Sequence, residues 1–222
     1  MNLERYRNRH GKLWLNVASG NYFLEDFVHL DSNFLVWLAP LYPLIKNHLK
    51  TNGRQWLQTY REGRAKGRQF IHINCAKPLP FPSNSVDHIL CSHFLEHLYL
   101  DNAGAVLDGF HRILKLDGTL HAIVPDLEPH AREYLQKYGT AEASNEFVRS
   151  LCFRMPARLH WANRWMQALN MGSYEHCWMF DRHSFLDLLH RHGFTVLDSD
   201  DSPSAAWRRS DPAQINVLVR KS

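Results

Sequence analysis

The sequence predicts an α/β domain with a seven-stranded, mostly parallel β-sheet and helices on both faces of that sheet. Seven short apolar or alternating segments have the length and period of strands, and helix-period segments separate several of them. A strand, a helix and a further strand in succession indicate a parallel crossover, and sheets built this way are covered on both faces. The predicted strands are Leu13–Val17, Phe27–Leu30, Phe70–Ile73, Val86–Cys91, Thr119–Val124, Phe194–Leu197 and Ile215–Val219.

Two of the helices have clear boundaries in the sequence. Segment Ala103–Leu116 carries an apolar stripe at helical spacing and is expected to stop at the Asp-Gly turn of residues 117–118. Asp181 is a good N-cap for a helix over Arg182–His192. Because ligands of such sheets bind beyond the carboxyl ends of the strands, the functional residues are expected in the loops that follow the strands.

The composition is that of one globular domain. The chain has 222 residues, of which 45% are apolar and 12% aromatic, which suffices for a single core and excludes a disordered chain. The formal net charge of +4 is too small to indicate a nucleic-acid partner, and none is expected. The four cysteines form no Cys-x-x-Cys pair, which argues against a zinc ribbon or a dithiol motif and favours reduced thiols.

No targeting or transmembrane segment is predicted, and we expect a cytoplasmic protein. Segment Met1–Lys12 carries several charges and no apolar core, unlike a secretory signal. The longest apolar run, Phe34–Ile45, is too short to cross a bilayer and contains two prolines. Burial by packing is favoured for this run; the alternatives are a substrate wall, a homodimer contact or a membrane-surface patch.

A helical, aromatic-rich stretch over residues 127–175 is expected to cap the carboxyl edge of the sheet. With this cap-like insertion, residues 1–222 are interpreted as a single domain, because no repeat or linker divides them. Most aromatic side chains of the stretch are expected to be helix-packing residues. They are Tyr134, Phe147, Phe153, Trp161 and Trp165.

Small, acidic and hydroxyl residues follow the first four predicted strands. The first strand leads into Ala18-Ser19-Gly20, where small residues let a ligand approach the backbone closely. The second ends in Asp31, and a carboxylate at this place can accept both hydroxyls of a ribose, although a helix cap or a solvated turn would use it equally well. The third strand is followed by Cys75 and Ala76, and the fourth by Ser92 and His93.

Several motifs follow one another in the order found in a known enzyme family. They are Leu79–Phe81 with Asp87, Ser92–Leu98, Leu114–Leu120, and His176–Asp181 followed by a helix and Gly193-Phe194. Together they resemble the class I S-adenosylmethionine-dependent methyltransferases, in the branch with methyltransferase type 11 domains. The resemblance extends over about residues 13–194, which is more specific than any single motif.

The resemblance implies a Rossmann-like fold with an antiparallel last strand, S-adenosyl-L-methionine as the cofactor, and a role for each strand-end loop. By position, the loop after the first strand would hold the methionine part, the acid after the second the ribose, and the loop after the third the adenine, while residues after the fourth would line the sulfonium side. The corresponding residues are Ala18, Ser19 and Gly20; Asp31; Cys75 and Ala76; and Ser92 with His93.

Two positions and the length of one segment depart from the family pattern. Ala18 stands where the family usually has a glycine, and Cys75 where it often has an aspartate. In addition, segment Ala18–Asp26 is too short for the usual crossover helix, since such a connection needs at least about ten residues. These differences are expected to affect the loop geometry and the cofactor affinity, and leave open a non-catalytic cofactor-binding or interaction module of the same fold.

Methyl transfer from a sulfonium needs alignment of the two reactants and no metal. If the acceptor is a hydroxyl or an amine, a histidine near the sheet edge can take its proton, and His93 and His176 are the candidates, although either can instead be structural. A rival hypothesis uses the same segment, because His93-x-x-Glu96-His97 matches a helical zinc motif of inverzincin peptidases.

The methyl acceptor is expected to be an unidentified small molecule or a sugar-type compound, by resemblance alone. The basic segment Arg54–Arg68 contains few acidic residues and could attract an anionic substrate such as a nucleotide sugar or a glycan. A solvated helix face is the favoured interpretation of this segment.

Overall fold

The computed structural model contains one sheet of seven strands, as the sequence predicts. It describes residues 2–33, 38–45, 47, 51–152, 176–197, 202–204 and 212–222. The strands are β1 (Trp14–Val17), β2 (Phe27–Asp31), β3 (Gln69–His72), β4 (Val86–Ser92), β5 (Leu114–Pro125), β6 (Phe194–Val196) and β7 (Gln214–Lys221). Each agrees with a predicted segment, and β5 begins five residues earlier than expected.

The strands lie in the order β3-β2-β1-β4-β5-β7-β6. The first five in this order are parallel neighbours, and β7 runs antiparallel between β5 and β6, so the expectation of an antiparallel last strand is confirmed. The chain order reverses between β1 and β4, where the connections lead away from one another at the carboxyl edge. This is the topological switch point at which ligands of such sheets bind.

Helices separate several of the strands in the described residues. They are α1 (Tyr42–Ile45), α2 (Thr51–Ala65), α3 (Leu100–Ile113), α4 (Leu127–Lys137), α5 (Ala143–Ser150) and α6 (Arg182–Arg191), with short 3₁₀ turns at Glu4–Tyr6, Ala39–Leu41 and Leu95–His97. Asp181 caps α6 as predicted, since its side chain accepts from the Ser184 amide and the Ser184 hydroxyl bonds back. None of the helices within these ranges combines the length and the apolar composition needed to cross a bilayer.

The predicted end of the helix Ala103–Leu116 is wrong. The helix runs over Leu100–Ile113, and Leu114 is already extended and pairs with Val86 of β4. The Asp-Gly pair of residues 117–118 forms a kink inside β5, next to a register shift between Val86 and His88. Leu114 and Leu116 fit the helical stripe as well as a strand, and pairing with β4 decides between them.

The connection between β1 and β2 contains no helix. It consists of residues 18–26, and the two strands it joins are parallel neighbours. The short connection inferred from the sequence is therefore present, although parallel neighbours are normally joined by a dozen or more residues. Helix α2, which comes later in the chain, packs through Leu57 and Tyr60 against Phe23 of this connection and Phe70 of β3.

Helices cover both faces of the sheet. The larger core lies on one face, where α3 and α6 pack with residues such as Phe110 and Phe185 against Leu15, Val17 and Val28. Helix α2 covers β2 and β3 from the other face. The Rossmann-like fold with two helical layers is thus confirmed.

A buried chain of polar side chains crosses the second face of the sheet. His88 bonds the Thr119 hydroxyl at 2.7 Å and the Ser204 hydroxyl at 2.9 Å, and His121 bonds Ser204 at 2.6 Å and Asn216 at 2.7 Å. Burial lowers the pKa of His88 from 6.5 to about 3, with a smaller contribution from His121. His88 is therefore neutral at physiological pH and serves here as a hydrogen-bonding core residue.

The expected cap begins with two helices. Helix α4 leaves the end of β5, and α5 packs on it through the rings of Tyr134 and Phe147, which lie 5.1 Å apart. The predicted helix-packing role of these two aromatics is supported, whereas Phe153, Trp161 and Trp165 lie outside the described residues. The return of the chain is fixed at Phe180, whose carbonyl accepts from the Leu127 amide at 2.8 Å.

Candidate functional site

A cavity of about 360 Å³ opens at the carboxyl ends of β1 and β4, at the switch point. Loops and turns after the two strands form most of its wall, α2 contributes one tryptophan, and the returning chain contributes His176. The lining residues are Asn16, Ala18, Ser19, Gly20, Asn21, Tyr22, Trp56, Ser92, His93, Glu96, His97 and His176. Both predicted catalytic histidines and four of the seven predicted cofactor residues are thereby brought together.

The loop after β1 makes a sharp turn, in which two residues have a positive φ angle. Ala18 has φ of 51° and Gly20 has φ of 56°, both in the left-handed region. A side chain at such a position is strained, which gives a physical reason for the family's glycine where Ala18 stands.

The amides of Ser19 and Gly20 are hydrogen-bonded within the protein. The Ser19 amide donates to the Leu30 carbonyl at 3.0 Å, and the Gly20 amide donates to Oδ2 of Asp31 at 2.8 Å. Both groups are used to fix the loop on the end of β2. The loop instead offers the Ser19 hydroxyl, whose Oγ is buried and has no hydrogen-bond partner among the described residues.

Asp31 lies at the end of β2, with both carboxylate oxygens against the backbone. Oδ2 accepts from Gly20, and Oδ1 accepts from the Asn33 amide at 2.7 Å. Burial raises the pKa of Asp31, and the hydrogen bonds from these amides partly oppose that rise. Since each carboxylate oxygen accepts more than one hydrogen bond, Asp31 retains capacity for ribose hydroxyls.

Cys75 and Ala76 line a separate cavity of about 260 Å³ between the loop after β3 and helix α3. Burial raises the pKa of Cys75 to about 12, so its thiol is neutral and cannot replace the charged acceptor of an aspartate. The Cys75 thiol donates to the Ile73 carbonyl at 3.8 Å, and the Ala18 amide lies next to the same sulfur, so this loop neighbours the loop after β1. The predicted adenine residues are therefore next to the first cavity and outside its wall.

Two residues of α2 that the sequence interpretation missed support the β1 loop. Tyr60 is fully buried, and its hydroxyl donates to the Gly20 carbonyl at 2.9 Å. The Trp56 ring lies against Gly20 and lines the cavity. No motif marks these residues, because a helix distant in sequence here takes the place of the absent crossover helix.

His93 directly follows β4 and has a strained backbone, with φ of 52°. Its Nδ1 lies 3.1 Å from Oε1 of Glu96, whose side chain is fully buried. A carboxylate that accepts from one imidazole nitrogen fixes the tautomer and leaves the other nitrogen as a base. The pair has the arrangement required of an oriented general base.

His176 enters the site from the chain that returns after the insertion. Its Nδ1 bonds the Leu151 carbonyl at 2.8 Å, and its ring lies 5.4 Å from that of His97. Burial lowers the pKa of His176, and the nearby carboxylate of Glu96 opposes this. The amides of Cys177 and Trp178 both donate to the Glu96 carbonyl, which holds this segment against the 3₁₀ turn.

The helical zinc motif of the peptidase hypothesis is absent. His93 precedes a 3₁₀ turn of three residues, Leu95–His97, so no α-helix presents His93 and His97 on one face. Instead, the compact group of metal-ligating side chains found among the described residues combines Glu96 and His97 with His176.

The comparisons with known proteins agree with this topology. A family model described as a methyltransferase domain matches residues 42–122. The match covers 81 of the 222 residues and is to the family that the sequence motifs resemble. The predicted family and enzyme class are thereby confirmed, and the methyltransferase domain implies S-adenosyl-L-methionine as the cofactor, as predicted.

Solved structures show the same fold at low sequence identity. A Thermotoga maritima SAM-dependent methyltransferase, described as a possible histamine N-methyltransferase, is 15% identical with a TM-score of 0.51, over 95% of this chain and 82% of that one. A Pyrococcus horikoshii protein is 13% identical with a TM-score of 0.53, over 94% and 81%. A Methanosarcina mazei SAM-dependent methyltransferase is 12% identical with a TM-score of 0.52, over 100% and 97%. No curated protein matches the sequence.

Proposed function

We propose that this methyltransferase methylates a small-molecule or sugar-type acceptor in the cavity between β1 and β4. The observation that carries the proposal is the convergence of the buried Ser19 hydroxyl and the His93–Glu96 pair on one cavity at the switch point of the sheet. S-adenosylmethionine supplies a methyl group that its positive sulfur already activates.

The residues present fit this cofactor. The Ser19 hydroxyl is a buried donor that lacks a partner in the described part of the chain, and it would bind the cofactor carboxylate. Asp31 would accept from the ribose hydroxyls. Cys75 and Ala76, in the loop that neighbours Ala18, would meet the adenine.

The reaction then needs alignment and, for a hydroxyl or amine, removal of a proton. Ser92 and His93 would line the sulfonium side, where an in-line approach of the acceptor lowers the barrier. Glu96 orients the His93 ring, and the ring takes the proton from the acceptor. His176 is the second candidate base, with the Nε2 nitrogen left unprotonated because Nδ1 bonds a carbonyl.

The cavity has the size of a small-molecule pocket. About 360 Å³ is near the lower end of the range of about 300–1,000 Å³ for ligand pockets. In the basic segment, the guanidinium groups of Arg61 and Arg64 lie over the rings of Tyr42 and Phe70, and Arg68, which follows α2, pairs with Glu25. A glycan acceptor and a homodimer stay predictions. A cytoplasmic location also stays a prediction, and the four unpaired cysteines support it because free thiols are typical of a reducing compartment.

Transfer of labelled methyl groups from the cofactor into fractionated small-molecule extracts tests the function. We expect one fraction to accept label with the wild-type protein, and His93→Ala to reduce the rate at least about 100-fold without changing the affinity for S-adenosylhomocysteine. The control is His190→Ala, which removes an exposed histidine at the end of α6. Absence of S-adenosylhomocysteine binding by the wild-type protein would contradict the proposal.

A further inference from the structure

Three metal-ligating side chains meet on the wall of the first cavity. Glu96, His97 and His176 each present one ligand atom, and these atoms all lie within 4.8 Å of one another. Two belong to the 3₁₀ turn after β4, and the third belongs to the chain that returns about eighty residues later. The tertiary fold therefore assembles this cluster, which the spacing of residues 93–97 alone would not produce.

The Glu96 carboxylate has one oxygen that the protein does not satisfy. Its side chain is 0% exposed, Oε1 is 3.1 Å from His93, and Oε2 has no hydrogen-bond partner within the described ranges. An unpaired buried carboxylate oxygen is unfavourable, and a bound cation is one of the few groups that can satisfy it. One carboxylate oxygen of Glu96 lies within 4.8 Å of a ring nitrogen of each histidine in the cluster.

The hydrogen bonds of His176 prepare it as a ligand. A carbonyl oxygen only accepts, so the bond to Leu151 places the ring proton on Nδ1 and leaves Nε2 with a free lone pair. Metal-binding histidines usually donate their second nitrogen to a carbonyl or a carboxylate in this way. The same segment is held on the Glu96 carbonyl by two amides, so the ligand is fixed relative to the 3₁₀ turn.

We propose that Glu96, His97 and His176 form a site for a divalent transition metal of the zinc type, with one coordination position open to the cavity. Two imidazoles and one carboxylate form a donor set of catalytic zinc sites, whereas Mg²⁺ prefers oxygen ligands. Zinc–ligand distances of about 2.1 Å place ligand atoms about 3.4 Å apart in a tetrahedron. The most distant pair therefore has to approach by at most about 1.4 Å.

This site deepens the proposed function and rests on it for its role. With Nε2 of His176 bound to the metal, His93 is the remaining candidate base. The open position takes the hydroxyl or thiol of the acceptor, and coordination makes that group lose its proton to water or to His93 more readily. The acceptor oxygen or sulfur forms a bond to the methyl carbon. The bond between that carbon and the cofactor sulfur breaks, and the electron pair stays on the sulfur. The acceptor class is therefore a compound with an ionisable hydroxyl or thiol.

Calorimetric titration of untagged, chelator-treated protein with Zn²⁺ tests the site directly. We expect one equivalent to bind, and we expect Glu96→Gln, His97→Ala and His176→Ala each to weaken binding at least 100-fold. His190→Ala is the matched control and should bind as the wild type does. Glu96→Gln keeps the shape of the side chain, so it separates loss of a ligand from loss of folding, and thermal melting of each variant checks the fold.

Two results would overturn the assignment. Failure of the wild-type protein to bind one equivalent of Zn²⁺ would remove the site. Unchanged binding by His176→Ala would put the ion on residues 93–97 alone. Replacement of Zn²⁺ with Co²⁺ tests the open position, since addition of 2-mercaptoethanol should then change the visible spectrum; an unchanged spectrum would mean a closed, structural site.

A separate titration distinguishes this proposal from the proposed function. S-adenosylhomocysteine should bind the chelator-treated protein, because none of the metal ligands is assigned to the cofactor. Zinc binding without cofactor binding would contradict the proposed function and leave the metal site intact. Cofactor binding without zinc binding would contradict the metal site and leave the proposed function intact.

Discussion

The Gly20 amide donates a hydrogen bond of 2.8 Å to Oδ2 of Asp31, which joins the loop after β1 to the end of β2. The loop assigned to the methionine part of the cofactor and the carboxylate assigned to its ribose thus form one structural unit.

Asp31→Asn should weaken S-adenosylhomocysteine binding about tenfold, about 1.4 kcal/mol, because the amide loses a charge-assisted bond to the ribose. Because burial raises the pKa of Asp31, wild-type affinity should fall on acidification at a higher pH than an exposed aspartate would give. Calorimetry at several pH values measures both effects. Asp187→Asn, which changes an exposed carboxylate on α6, is the control, and equal affinities for the two variants would remove the ribose assignment.

Ala18→Gly should raise the free energy of unfolding by about 0.5–1 kcal/mol. The substitution relieves the strain of a left-handed alanine, about 1–2 kcal/mol, and this exceeds the greater chain entropy that glycine has in the unfolded state. Denaturant unfolding measures it. Ala105→Gly, at an exposed position inside α3, should instead destabilise by about 0.5–1 kcal/mol. A loss of stability at both positions would show that the Ala18 backbone carries no strain.

Tyr60→Phe should reduce stability by about 1 kcal/mol and weaken cofactor binding severalfold. The buried hydroxyl fixes the Gly20 carbonyl, and its removal leaves that carbonyl without this donor. Thermal melting and calorimetry report the two effects. Tyr42→Phe removes a longer contact of 3.4 Å to Gln58 and should change neither quantity appreciably. If both variants behave alike, helix α2 does not position the loop.

The stability of the fold should decrease as the pH falls below about 6.5. Burial lowers the pKa of His88 to about 3 and that of His29 to about 4, so the folded state binds fewer protons than the unfolded state between those values and 6.5. Stability is therefore complete above the unfolded pKa and is lost on acidification, by up to about 1.4 kcal/mol per pH unit for each histidine. Denaturant unfolding between pH 7 and 5 measures the slope, which His88→Gln should reduce.

The sequence predicts the sheet because every strand has its own apolar or alternating pattern. It misplaces the end of α3 because Leu114 and Leu116 satisfy both periods, and only pairing with β4 decides between them. Local composition could suggest a ligand-binding loop at Ser19. It could not show that the amides of Ser19 and Gly20 bind the end of β2, because that contact depends on how the two strands pair. The convergence of Glu96 with His176 was equally inaccessible, since it depends on where the chain returns.

The ends of the insertion meet beside the sheet. Asp126 and Phe180 form a parallel bridge, and the Leu127 amide binds the Phe180 carbonyl, so residues between these points begin and finish at nearly the same place. Changes of length or sequence between residues 126 and 180 should therefore affect the sheet little, since the entropic cost of closing a loop rises only slowly with its length. Evolution could therefore replace this segment to admit new substrates without altering the strand-end loops assigned to the cofactor.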